Sequence, residues 1–201
     1  MLDSTTMLRV LVVCTGNICR SPMAHGFLAD RSRRQLNGAI KVRSAGTWAR
    51  KGSPPTREAI DAAAERGVDI HELRSSPVKG DVARQADLVL TMTGEQRAEV
   101  LEAAPEAAQK TFTLKEFVAL LRELPPCGGL DRGALLERVE QAHRLRMQGA
   151  VAPLADQDVV DPLSMSYETY RAVAWEIDGL IDDLVHGLAG VAVKVSAPAE
   201  D

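Results

Sequence analysis

A short β-branched apolar run, Leu8 to Val13, leads through a glycine-containing turn into a helical pattern opened by Ser21, Pro22, Met23, Ala24, Phe27 and Leu28. A strand of that kind suits burial on both faces of a parallel sheet, and proline in the first turn of a helix costs no hydrogen bond. The same alternation continues along the chain. Ile40 to Val42 reads as a second strand and Pro55 to Arg66 as a helix closed by Gly67; Asp87 to Met92 reads as a third strand and Gly94 to Ala103 as a helix. Thr111 to Leu114 is a fourth short strand running directly into a helix over Lys115 to Leu124. Strands that keep alternating with helices define an α/β chain with a parallel sheet.

Pro125, Pro126, Cys127, Gly128 and Gly129 break the pattern. Gly133 to Gln148 then reads as an amphipathic helix with Leu135, Leu136, Val139, Ala142 and Leu145 inward and its Glu and Arg residues outward. Ala150 to Ser166 is a polar loop holding Asp156, Asp158 and Asp161, and Tyr167 to Leu188 is a final helix. Its stripe of Tyr170, Val173, Ile177, Leu180, Ile181 and Leu184 belongs in the core. With 201 residues, 45% of them hydrophobic, one core is the expectation: a single domain over 1–190, with 191–201 as a disordered tail. The net charge of −4 is mild and the basic residues are dispersed, which argues against a nucleic-acid partner. The N-terminal segment has neither the basic region nor the long apolar run of a signal peptide, and no segment has the length of a membrane span, so the expectation is a soluble cytoplasmic protein. Three cysteines, two of them Cys14 and Cys19, do not make a disulfide framework and point to thiol chemistry in a reducing compartment.

The chemistry concentrates in Cys14, Thr15, Gly16, Asn17, Ile18, Cys19, Arg20 and Ser21, between the first strand and the first helix. Successive backbone N–H groups in such a turn converge on an oxyanion, and the positive end of the helix dipole adds to their field. That field also favours a thiolate over a thiol. Phosphoryl transfer needs an in-line nucleophile and donors on the equatorial oxygens; Cys14 suits the first role, and the loop amides with the Arg20 guanidinium suit the second. Gly16 and Asn17 tolerate the positive φ a cradle of inward amides requires. Ser21 is placed to donate a hydrogen bond to the sulfur. No Gly-Lys-Ser/Thr follows, so a nucleotide-binding P-loop is excluded.

Through VCTGNICRSPMA at 13–24, RSAGT at 43–47, ADLVLTM at 86–92 and Asp161-Pro162, the chain resembles the low-molecular-weight protein tyrosine phosphatase family over most of its length. The resemblance implies a flavodoxin-like four-stranded parallel sheet flanked by helices, with the active loop at the carboxyl end of the first strand. It also implies a phosphocysteine intermediate, no metal or other cofactor, and a phosphorylated protein as substrate. Asp161 matches the family's general acid, which protonates the leaving group and then serves as base; Pro162 biases it toward extended backbone. Asp158 is the reserve candidate.

Four positions depart from the family pattern. Leu163 and Ser164 follow the acid's proline where paired tyrosines are usual, reducing the aromatic wall; Trp48 is the candidate replacement, so Ile18, Trp48 and Leu163 are the expected pocket residues. Leu73 stands where a histidine is usual before the Arg-Ser pair, with His71 two positions early and read as an exposed loop residue. His25 replaces a common acidic residue and is given no role. About 115–150 reads as an extra helical insertion before the acid loop. Protein-arginine phosphatase is the serious alternative; its members carry Thr at the position of Ile18, and the branched apolar group favours a tyrosine-type pocket. Arsenate reductase of this fold needs two further cysteines, and only Cys127 lies outside the loop. A non-catalytic phosphate-binding module would not need nucleophile, arginine and acid together. Cys14 is expected to be redox-sensitive, with Cys19 as the thiol that captures its oxidised form.

Overall fold

The computed structural model describes residues 6–126, 128–151 and 156–190. Its strands are β1 (Leu8–Cys14), β2 (Ile40–Gly46), β3 (Leu88–Thr91) and β4 (Thr111–Thr113). They form one sheet in the order β2-β1-β3-β4, with every pairing parallel. β1 is central because alternate side chains find an apolar layer on each face. Val10, Val12 and Cys14 join Leu88 and Leu90 in one cluster, while Leu11 and Val13 join Ala45 and Val89 in the other. Only Arg9 of β1 is exposed. This is the doubly covered parallel sheet that the apolar run predicts.

The helices are α1 (Arg20–Gln35), α2 (Arg57–Glu65), α3 (Gly80–Gln85), α4 (Gly94–Ala103), α5 (Leu114–Arg122), α6 (Arg132–Met147) and α7 (Tyr167–Ala189). Helix α1 comes close to the segment after α2, since a Cβ on Gly26 would lie 2.5 Å from a methyl of Ile70 and 2.8 Å from one of Val68. Helix α7 starts at the Ser166 cap, whose side chain accepts from Thr169 N, and stops at Gly190 with φ of 67°. The predicted stripe is buried at Tyr170, Val173, Ile177, Ile181 and Leu184, and Leu180 is partly buried.

Several boundaries differ from the sequence reading, each for a physical reason. β2 continues to Gly46 rather than stopping at Val42, because the face carrying the exposed Lys41 and Arg43 at its start is not covered and so lacks apolar residues. The short α3, and a 3₁₀ turn at Pro105–Lys110, carry too little periodicity to stand out. In α6 the outward reading of the arginines fails at Arg138, which is 2% exposed and buried beside Leu135, Val139 and Ala142. Its guanidinium donates to Gly187 O through Nε and Nη2, at 3.1 and 2.7 Å, and to Pro125 O at 2.7 Å. It thereby adds side-chain donors to a carbonyl in the last turn of α7 that also accepts from the Gly190 cap at 3.2 Å. The segment read as an insertion holds most of α5 and all of α6. The C-terminal tail from 191 and Cys127 lie outside the described residues.

Candidate active site

β1 ends at Cys14, α1 begins at Arg20, and residues 15–19 turn between them at the carboxyl edge of the sheet. Asn17 takes the left-handed conformation, φ 52°. The loop is fastened from outside: Thr47 N donates to Cys14 O, Trp48 N to Thr15 O and Thr56 N to Ile18 O. Gly46 lies so close beneath it that a Cβ there would be 2.4 Å from Thr15 O and 2.9 Å from Asn17 N. The amides of Gly16, Ile18 and Cys19 make no hydrogen bond among the described residues. Cys19 at the N-cap provides no side-chain cap, and the first turn of α1 holds no acidic residue. The positive end of that helix is left open to an anion.

The Cys14 sulfur is buried at the base of this loop. Asn17 N donates to it at 3.3 Å and Ser21 Oγ lies 3.0 Å away. Asn17 Nδ2 donates to Ser21 Oγ at 2.8 Å, and the serine proton has two acceptors within reach, the sulfur at 3.0 Å and Ala45 O at 3.4 Å. Asn17 Oδ1 in turn accepts from Ser76 N at 2.9 Å. The chain Ser76, Asn17, Ser21, Cys14 thus ties the sulfur into one hydrogen-bonded network with the loop.

Arg20 is 3% exposed. Its Nη1 donates to Val159 O at 3.0 Å, and its Nη2 to Asp161 Oδ2 at 2.5 Å, while the buried Nε has no partner among the described residues. Asp161 is held by its own turn, Oδ1 accepting from Leu163 N at 3.2 Å, and its side chain is 42% exposed. The approach of this loop is pinned to the sheet by Val159 N, which donates to Met92 O at 2.8 Å. Asp158 is committed elsewhere, its Oδ1 accepting from Gly94 N at the start of α4 at 2.8 Å. Arg20 and Asp161 are therefore brought into contact, Cys14 and Arg20 stand at the two ends of one loop, and the reserve carboxylate is turned to a helix end.

Of the expected pocket residues, Ile18 is partly buried, with Cγ1 3.2 Å from where a Gly16 Cβ would be. Trp48 is 77% exposed and its indole N–H donates to Glu99 Oε1 at 2.8 Å, so it stands at the surface rather than in the core. Leu163 is also exposed. Cys19 turns inward, its sulfur 3.5 Å from Tyr170 OH and 3.7 Å from Thr56 Oγ1, and burial pushes its thiol pKa up. His71 is exposed between Asp69 and Glu72, as the sequence reading has it, and Leu73 packs against the core. His25 faces Ser44 Oγ at 3.2 Å, and burial pushes its pKa down to about 4.

The sequence reading missed three supports. Gln96 is 3% exposed; its Oε1 accepts from Met92 N and Thr93 N, and its Nε2 donates to Thr15 Oγ1 at 3.1 Å. Its signal was the spacing Thr93-x-x-Gln96, a capping box at the start of α4. Gly46 sits inside the RSAGT segment and Ser76 directly follows the Arg-Ser pair, but their service to the loop depends on contacts far along the chain.

A profile of the family described as "Low molecular weight phosphotyrosine protein phosphatase" matches residues 9–125. The chain is 34% identical over 180 residues to a protein-arginine-phosphatase of Geobacillus stearothermophilus, covering 90% of this chain and 95% of that one. It is 38% identical over 116 residues to the low molecular weight protein-tyrosine-phosphatase Etp of Escherichia coli (strain K12), covering 58% of this chain and 74% of the relative. Its fold is similar to the crystal structure of a low molecular weight protein tyrosine phosphatase from T. tengcongensis, with a TM-score of 0.68 at 34% identity over 89% of this chain and 98% of that one. The fold is that of a low molecular weight protein phosphatase. The chain belongs to the low molecular weight phosphotyrosine protein phosphatase family. No helix among the described residues is long and apolar enough to cross a membrane.

Proposed function

We propose that this protein hydrolyses phosphotyrosine-type phosphomonoesters on protein substrates through a phosphocysteine intermediate, with Cys14 as nucleophile, Arg20 as phosphate clamp and Asp161 as general acid and base. The observation that carries the reading is the convergence, on one loop, of a sulfur in hydrogen-bond contact with Asn17 N and Ser21 Oγ, amides without a partner among the described residues, and a buried arginine whose Nε has none among them either. The Cys14 sulfur attacks phosphorus as the P–O bond to the leaving group breaks, and Asp161 gives its proton to the departing oxygen. Water then attacks phosphorus, Asp161 takes the water's proton, and the P–S bond breaks to return the thiolate, steadied by the Ser21 hydroxyl. Amides of residues 15–21 and the Arg20 guanidinium hold the equatorial oxygens through both steps. The reading includes one phosphatase domain over 1–190 and a reducing, cytoplasmic setting in which the thiol stays free.

Ile18 supports an aryl substrate: an apolar branched side chain beside Gly16 lies well along a ring and offers nothing to a guanidinium. Trp48 and Leu163 would extend that wall, more thinly than paired tyrosines. A second reading, protein-arginine phosphatase, draws on the Geobacillus relative, whose similarity spans nearly the whole of both chains. The test compares kcat/KM for matched phosphotyrosine and phosphoarginine peptides in the native enzyme and in Ile18→Thr. Preference for phosphotyrosine, eroded by the substitution, is the expected result; a native preference for phosphoarginine transfers the assignment to the second reading.

A further inference from the structure

On the face of the sheet opposite α1 and α7, a cavity of about 550 Å³ opens between the starts of β1 and β2, α3 and the first turn of α6. Four cations line it: Arg9, Lys41, Arg43 and Arg132. Strand register explains the grouping, since Arg9 pairs with Lys41 and Leu11 with Arg43, so these side chains share one face. Arg9 lies at the opposite end of β1 from Cys14, about 16 Å away along an extended strand.

Two of the cations are fixed in place. Asp87, buried beneath them, accepts from Arg9 through Nε and Nη2, at 3.1 and 2.7 Å, and from Arg132 Nη2 at 2.9 Å. Both arginines hold its pKa down to about 2 against the cost of burial, so one permanent anion orders two guanidinium groups. Lys41 and Arg43 are exposed and have no ion-pair partner among the described residues. The cavity therefore presents four positive charges against one buried negative charge. Its remaining wall includes the half-buried apolar side chain of Val82, with Gln85 beside it on α3. Pre-ordered cations beside an apolar surface suit a ligand with anionic groups at one end and a flat or apolar body at the other.

We propose that this cavity is a second, non-catalytic site that binds an organic phosphate bearing two or more anionic groups. The phosphates engage Lys41, Arg43 and the Asp87-ordered guanidinium groups, and the body lies against Val82 and Gln85 of α3.

The test is a titration of the full-length ¹⁵N-labelled protein with ATP, inorganic tripolyphosphate and adenosine, read at the backbone amides of Lys41, Arg43 and Val82. That readout is local to the cavity and does not depend on chemistry at Cys14. ATP should give saturable shifts there, tripolyphosphate should bind severalfold more weakly, and adenosine should not bind. The double variant K41Q/R43Q should weaken ATP by on the order of tenfold, as expected for losing two exposed charge contacts, while turnover of p-nitrophenyl phosphate stays at the native level. The single variants K41Q and R43Q report the same loss in smaller steps, should the double variant fold poorly. Absence of saturable shifts at these amides, or ATP affinity unchanged in the variants, overturns the site. Tripolyphosphate binding as tightly as ATP overturns the organic body.

Discussion

Arg20 Nη2 and Asp161 Oδ2 stand 2.5 Å apart, joining the buried side chain of the phosphate loop to the half-exposed carboxylate of a loop more than a hundred residues later. Under the proposed mechanism this contact is exchanged during each turnover. A phosphate entering from the solvent side takes the Nε and Nη2 edge of Arg20, giving the buried Nε its missing acceptor, and Asp161 turns from the guanidinium to the leaving oxygen. Val159 O keeps Nη1 and holds the plane of the guanidinium throughout.

Asp161→Asn should therefore lower kcat by on the order of 10²-fold for aryl phosphates with basic leaving groups. The loss should shrink as the leaving group becomes more stable as an anion. Asp158→Asn should leave that dependence unchanged and cost no more than about 0.5–1 kcal/mol of stability, because the side-chain amide still accepts from Gly94 N and only the charge at the positive end of α4 is lost. A series of substituted phenyl phosphates, with thermal melts of both variants, separates the two. A leaving-group-dependent loss in Asp158→Asn would move the acid role to that residue.

Gln96→Ala should destabilise the protein by about 1 kcal/mol, since the half-buried Thr93 N loses its acceptor while Met92 N keeps Val13 O. It should also impair turnover, because Thr15 loses the link that ties the loop to α4. Denaturant titration and kcat/KM on one preparation test both halves. Native activity in a destabilised variant would make Gln96 a helix cap alone.

Acid sensitivity should trace partly to His25. Its pKa in the folded protein is pushed down by burial to about 4, below the ordinary 6.5, so the unfolded chain binds the proton more readily. Stability carried by the neutral ring is fully present above about pH 6.5 and declines as pH falls toward 4, by up to about 3 kcal/mol. His25→Gln should flatten that part of the stability profile. Identical profiles for the native protein and the variant, measured by urea unfolding between those limits, would assign the acid sensitivity elsewhere.

Peroxide should inactivate the enzyme reversibly. The Cys14 thiolate is oxidised to a sulfenic acid by the peroxide, and the Cys19 sulfur then displaces the sulfenic oxygen, releasing water and forming a disulfide. For this Cys19 must turn away from Tyr170 OH and Thr56, and its thiol, raised by burial, must lose a proton as it does so. Dithiothreitol should restore native protein and fail to restore Cys19→Ser. Equal recovery, with no Cys14–Cys19 peptide by mass spectrometry, leaves Cys19 a packing residue under the loop.

The loop was legible because its chemistry is local: Cys14 to Ser21 is one continuous stretch between a buried strand and a helix start. The parallel sheet was legible for the same reason, from the uninterrupted apolar runs of β1 and β3. What escaped depends on contacts between distant segments. Nothing around Gln96 announces that its amide reaches Thr15, and nothing around Gly46 shows that Thr15 O passes 2.4 Å from the place of a side chain. Arg138 looks like any charged residue on a surface helix until the Gly187 and Pro125 carbonyls are seen beside it. The end of β2 was missed because polar residues occupy its uncovered face, which is the face that forms the basic cavity.

The covalent role of Cys14 is tested most directly by trapping its intermediate. Asp161→Asn should still be phosphorylated by an aryl phosphate with a good leaving group but lose it slowly to water, since the base for the second step is gone. Acid quench during turnover, followed by peptide mapping, should find the phosphoryl group on the Cys14 sulfur, and Cys14→Ser of unchanged thermal stability should not turn over. Sustained hydrolysis with no phosphoenzyme, or a phosphoryl group on another residue, would contradict the account.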